Sequence, residues 1–383
     1  MRFARYSDAE IQHRSDMATE LKFGALQPKA PIAEAARATD VAFPEALAPV
    51  PIPINPKPDD SLPQADVIAM MDTAAEWEAM ADVLTPGHPG TTWYPYAKNF
   101  AQDFKPLIGP SGPSLESNRL GSYFLTQING LRVLVYKTEL HMHEDAKKLP
   151  DGSYSLPIKN MFQQMIADAG PRVFLTTGTS GGVYCSMSLG DVAVSRAAMF
   201  FCKKDFDNAP FNHKTFSSQW TIPQTYKAEA VKLMQGYAGN LVSQRSQPPA
   251  SQCACSPATH PTQIYYDGQD AIPAFHPILT TDFFEFGTST NQLNLQGMAV
   301  EMDDATLGLA CSELKSPPQW ACIRNLSDPT INGNLTDSQQ GNCAEFYYTK
   351  FGYWTTVMSA ITTWSVIAGL GDQTKHSKAK AKR

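Results

Sequence analysis

Between Ala65 and Leu370, short apolar runs alternate with segments of helical periodicity, and this alternation constrains the fold more than any other feature of the chain. "ADVIAMM" leads into "TAAEWEAMADVL" and "RVLVYKT" leads toward "PIKNMFQQMIADAG". "RVFLTTG", "GDVAVSRAA", "MAVEMDDATLGLACSEL" and "WACIRNLSD" carry the pattern to a last helix. Strands separated by helices require crossovers that cover a sheet on both faces. The expectation is one α/β domain over residues 65–370, with a central mixed, largely parallel twisted sheet flanked by helices. Residues 28–64 are dense in Pro and Ala, which oppose regular structure, so 1–64 is expected to be an N-terminal extension. Residues 371–383 read as a basic C-terminal tail too poor in apolar side chains to join a core.

Composition removes several classes of function. The 383 residues are 43% hydrophobic, enough for a large core, and 31 basic against 37 acidic residues leave a net charge of −6. That balance excludes an extended nucleic-acid surface. The apolar runs fall short of the roughly 20 residues a membrane span needs. Seven irregularly spaced cysteines, and an opening "MRFARYSDAE" without an apolar stretch, predict free thiols in a cytoplasmic protein. "CAC" at 253–255 with His260, and "HMH" at 141–143, lack a second ligand pair at metal spacing. No metal and no organic cofactor is expected.

In an α/β sheet, ligands bind beyond the carboxyl ends of the strands. There the segment "RVFLTTGTSGGV" (172–183) threads hydroxyl residues through Gly178, Gly181 and Gly182, which predicts a strand followed by a ligand-approaching loop. It is neither a dinucleotide fingerprint nor a phosphate loop. The same chain carries "LGDVAVS" at 189–195, "VEMD" at 300–303 and "RNLSD" at 324–328, in that order. This ordered set resembles the nucleoside phosphorylase and nucleosidase superfamily, including the methylthioadenosine/S-adenosylhomocysteine nucleosidases.

The resemblance implies an enzyme that cleaves the N-ribosidic bond of a purine nucleoside. Asp328 would hold the proton for N7 of the departing base, and Glu76 would activate the attacking water, with Asp72 and Glu78 as rivals in register. Asp303 would take the ribose hydroxyls where relatives commonly have Glu, supported by Glu301 and Met302. Gly178, Thr179 and Ser180 would line the nucleophile side, and Phe284 would stack on the base with the Glu285 backbone reading the purine edge; the competing use of Phe283, Phe284 and Phe286 alike is the core. "TAAE" at 73–76 also fits a helix capping box, a competing use for the Glu76 carboxylate. The arginines that phosphorylases use for phosphate are absent from the matching positions, so water is the expected nucleophile. Arg196 and Arg324 are the residues that could restore phosphorolysis. A non-catalytic purine-binding module is the other alternative. Assembly as a homo-oligomer is expected by resemblance alone.

Overall fold

A computed structural model describes residues 9–12, 14, 37–241, 250–255, 261–269 and 272–381. Its strands, in chain order, are β1 (Val50–Ile52), β2 (Val67–Met71), β3 (Tyr94–Tyr96), β4 (Gly121–Ile128), β5 (Leu131–Thr138), β6 (Val173–Gly182), β7 (Val192–Ser195), β8 (Ala197–Phe200), β9 (Thr215–Ser217), β10 (Ile264–Tyr266), β11 (Ile278–Thr280), β12 (Ala299–Glu301) and β13 (Gln319–Asp328). The main helices are α1 (Ala74–Leu84), α2 (Pro157–Ala169), α3 (Lys227–Tyr237), α4 (Asp304–Ser312) and α5 (Asp337–Ala381).

The sheet is mixed and helix-flanked, as the alternation predicts. β6 lies parallel to β2 on one side and to β13 on the other, and its last two residues pair antiparallel with β12. Beyond β2 the order runs β5, β4, β1, with β1 and β3 laid end to end along the outer side of β4. β2 is buried along its whole length, as a strand covered on both faces must be. Val67, Ala69 and Met71 join the core that contains Phe351, Ile361 and Trp364 of α5. Ile68 and Met70 point the other way, into the core shared with Met161, Phe162 and Met165 of α2.

Three expectations are corrected here. The predicted loop after "RVFL" is strand throughout: β6 runs on through Gly182 because β13 pairs with it from Val173 to Gly181. The folded body starts before Ala65 and passes Leu370. β1 joins the sheet, and the Leu47 carbonyl accepts the Trp364 indole N–H at 2.7 Å. α5 continues to Ala381, and Asn129 bonds both the Ala368 carbonyl and Asp372 from across the core. Proline is excluded from central strands and tolerated at a sheet edge, where β1 sits.

The free-thiol expectation also fails. Cys185 is bonded to Cys255 and Cys253 to Cys343, while Cys202, Cys311 and Cys322 are buried thiols. Disulfides of this kind belong to oxidising surroundings, which removes the cysteine argument for a cytoplasmic setting. His260, with residues 242–249 and 256–259, lies outside the described residues. The "CAC" segment is pinned: Ala254 bridges Ile331, and Cys255 N donates to the Thr330 carbonyl at 2.8 Å. Among the described residues no helix is long and apolar enough to cross a membrane.

Candidate active site

Four strand ends converge on one pocket: those of β2, β6, β12 and β13. Its walls include Glu76 and its rival Asp72, Thr179, Ser180, Phe284, Glu301, Met302, Asp303, Arg324 and Asp328, while Gly178, Gly182 and Arg196 are not among them and Glu78 is exposed on α1.

Gly178 and Gly181 explain why the strand that forms the floor is rich in glycine. A Cβ on Gly178 would come within 2.6 Å of Glu76 Oε1 and 2.8 Å of Arg324 Nη1, so an anion and a cation meet in the space a side chain would fill. A Cβ on Gly181 would stand 3.0 Å from Asp328 Oδ2.

Glu76 serves two structures at once. Its Oε2 accepts from the amides of Asp72 and Thr73, each at 2.8 Å, and the Glu76 amide donates back to Thr73 Oγ1 at 3.5 Å. This is the capping box read from "TAAE". Its Oε1 instead accepts from the Thr179 amide at 2.7 Å and the Thr179 hydroxyl at 2.6 Å. The two uses divide between the two oxygens of one carboxylate, so capping and a place at the pocket do not exclude each other.

Arg324 lies on β13 and is buried among acids. Its Nε donates to Asp304 Oδ2 at 2.9 Å and its Nη2 to Asp304 Oδ1, with Asp72 Oδ2 and Glu301 Oε2 each 3.2 Å from Nη2. The Glu301 carboxyl also accepts the amides of Asp303 at 2.6 Å and Asp304 at 3.0 Å, which caps the N-terminus of α4. Burial, then the neighbouring Asp304, pushes the Glu301 carboxyl well above its ordinary range. Asp72 is raised to about 7, by burial first and by Asp303 second.

Asp303 is fixed from the segment after β5: Oδ1 accepts the Met142 amide at 2.7 Å and Oδ2 lies 3.5 Å from His141 Nδ1. Ser180 donates its hydroxyl to the Asn325 carbonyl at 3.1 Å and tightens β6 against β13. Phe284 is the partly buried ring of its run and lines the pocket, while Phe283 and Phe286 are buried.

Asp328 ends β13 and is 3% exposed. Ser327 Oγ donates to its Oδ1 at 3.1 Å, and Oδ2 has no hydrogen-bond partner among the described residues. Burial pushes this carboxyl up to about 8. A carboxyl in that condition holds a proton at neutral pH and has an oxygen available to a ligand.

Arg196 is elsewhere. It forms an ion pair with Asp267 at 2.7 Å, bonds the Trp220 carbonyl and does not line the pocket. Sequence reasoning missed Asp304, whose neighbour Asp303 drew the attention, and Tyr348, an α5 residue in the pocket wall with no local signal in "EFYYTKF". Of the two histidines in "HMH", His141 stands beside Asp303 and His143 beside Asp205 at 2.8 Å.

A family model described as the Phosphorylase superfamily matches residues 95–346. Among solved structures, the chain is similar to a 5′-methylthioadenosine/S-adenosylhomocysteine nucleosidase from Neisseria meningitidis in complex with methylthio-immucillin-A. The identity is 14%, 79% of this chain and 99% of that one are covered, and the TM-score is 0.45. The futalosine hydrolase of Helicobacter pylori is similar at 13% identity, covering 79% and 97%, with a TM-score of 0.42. A putative nucleosidase from Borrelia burgdorferi bound to adenine is similar at 16% identity, covering 79% and 98%, with a TM-score of 0.41. No curated protein sequence matches.

Proposed function

The chain belongs to the phosphorylase superfamily, and on that premise we propose that it is a purine nucleosidase that uses water as its nucleophile. The observation that carries this reading is the buried, raised Asp328 carboxyl in the pocket wall, whose Oδ2 has no hydrogen-bond partner among the described residues. Its proton passes to N7 of the purine as the bond between the base nitrogen and C1′ breaks, and the bonding electrons leave with the base as a neutral purine. The sugar becomes an oxocarbenium-like cation, which the surrounding carboxylates stabilise. Water adds to C1′ and gives a proton to Glu76 Oε1, the oxygen that Thr179 holds toward the pocket. The rotatable Thr179 hydroxyl yields its contact to that water, while the Thr179 amide keeps the carboxylate in place. Asp303, fixed by Met142 and His141, anchors a ribose hydroxyl, Met302 and Phe284 pack on the nucleoside, and Ser180 and Gly178 hold the floor in shape.

Phosphate is disfavoured as the nucleophile because positive charge in the pocket is already committed. Arg324 shares its guanidinium among Asp304, Asp72 and Glu301, and Arg196 is tied to Asp267. An incoming dianion would meet Glu76, Glu301 and Asp303 with little left to neutralise it. The test is release of free base from adenosine, inosine, guanosine and methylthioadenosine in phosphate-free buffer and again with phosphate added. Release without phosphate, abolished in Asp328→Asn, is expected. Release that strictly requires phosphate, with ribose 1-phosphate as product, refutes the choice of nucleophile.

A further inference from the structure

The helical residues near the N-terminus are far in sequence from the pocket, yet Arg14 reaches its wall. Its guanidinium is buried, at 2% exposure. Nη1 lies 3.2 Å from Glu285 Oε1, Nη2 bonds Asp337 Oδ1, and the group sits 4.4 Å from the centroid of the Phe286 ring. Glu285 lines the pocket beside Phe284, and its Oε1 also accepts the Phe286 amide at 3.1 Å. Asp337 is the first residue of α5, the helix that brings Tyr348 to the same pocket. One side chain therefore ties the Phe284–Phe286 segment to the helix on another wall, and supplies a buried positive charge to a buried carboxylate.

We propose that Arg14 is a positioning residue of the base subsite that sets the Phe284–Phe286 wall through Glu285. This rests on the reading of Phe284 as the base-stacking residue. An aromatic stack tolerates little displacement, and Glu285 is bonded to Phe284 and Phe286 through one peptide each, while its carboxylate also accepts the Phe286 amide. Without Arg14 the Glu285 carboxylate loses a buried ion-pair partner, and the segment relaxes from its place in the wall. The role is one of geometry at the base and does not involve the sugar or the water.

The experiment uses the full chain with Arg14→Ala, Arg14→Lys, Glu285→Gln and the Arg14→Ala/Glu285→Gln pair. Adenine and hypoxanthine are titrated by calorimetry, and KM and kcat for base release are measured alongside. Arg14→Ala is expected to weaken binding of the free bases and to raise KM at least tenfold, with Arg14→Lys recovering part of the loss. In the Glu285→Gln background the same Arg14→Ala change is expected to cost less than threefold, because the charge that Arg14 serves is gone. Equal losses in both backgrounds, or base affinity unchanged in Arg14→Ala, would overturn the proposal while leaving the nucleosidase reading intact. Wild-type protein that neither binds these bases nor releases base from any purine nucleoside would sink both.

Discussion

Replacing Asp328 with Asn is expected to remove turnover and, at the same time, to flatten part of the pH dependence of stability. Burial raises this carboxyl to about 8 in the folded chain, against about 3.9 in an unstructured one. Between those values the native state holds a proton that the unfolded chain has released. Stability is therefore full below pH ~4 and is lost as pH rises toward 8, at about 1.4 kcal/mol per pH unit. From pH 5 to pH 7 the wild type should lose about 3 kcal/mol that Asp328→Asn keeps. The other raised acids, among them Asp72, Asp145, Asp282 and Glu301, are common to both proteins and cancel in the comparison. Whatever the buried NH₂ group of the amide contributes is independent of pH, so the slope is diagnostic and the level at one pH is not. Urea denaturation of both proteins at pH 5, 6 and 7, with disulfides intact, measures it. Parallel stability curves would show that Asp328 ionises normally in the folded state, and the proton-donor argument would fall with that result.

The remaining predictions test the floor, the nucleophile side and the cross-links. Gly178→Ala should abolish base release and destabilise by about 1–3 kcal/mol in a thermal melt, because the new methyl meets Glu76 and Arg324, both pinned by hydrogen bonds. Glu76→Gln should lower kcat by about 10²-fold or more while circular dichroism remains native, since an amide oxygen can still accept from the cap but cannot take a proton from water. A kcat within threefold of wild type would exclude Glu76 as the base. Unfolded, unreduced protein should titrate three thiols with a thiol reagent, and seven after reduction. Each bridge closes a loop of 70 or 90 residues and should contribute up to about 4 kcal/mol to the denaturation midpoint.

Much of the site could be read from the sequence because its residues follow strand ends at fixed offsets. Asp328 was visible in "RNLSD" and Asp303 in "VEMDD", each just past an apolar run that had to be a buried strand. Glu76 was legible twice over, as a cap and as a site residue, and only coordinates could show one oxygen doing each. What escaped depends on tertiary neighbours. Nothing local in "TTGTSGG" says that β13 pairs along it and keeps it extended, and its glycines, ordinary signs of a loop, answer to Glu76, Arg324 and Asp328 instead. Cysteine spacing could not reveal that 253 and 255 face two different partners, 90 and 70 residues away. Arg14 was hidden because its partners lie 271 and 323 residues along the chain.

β1 and β3, which together flank the outer side of β4, read Val-Pro-Ile and Tyr-Pro-Tyr. Each places a residue without an amide hydrogen at its midpoint, so the row of donors that would invite another chain is interrupted twice. The segment whose prolines seemed to disqualify it from folding thus acts as a guard on the sheet. A copy that tried to zip strand to strand along that border would find no amide hydrogen at Pro51 or Pro95 to pair with.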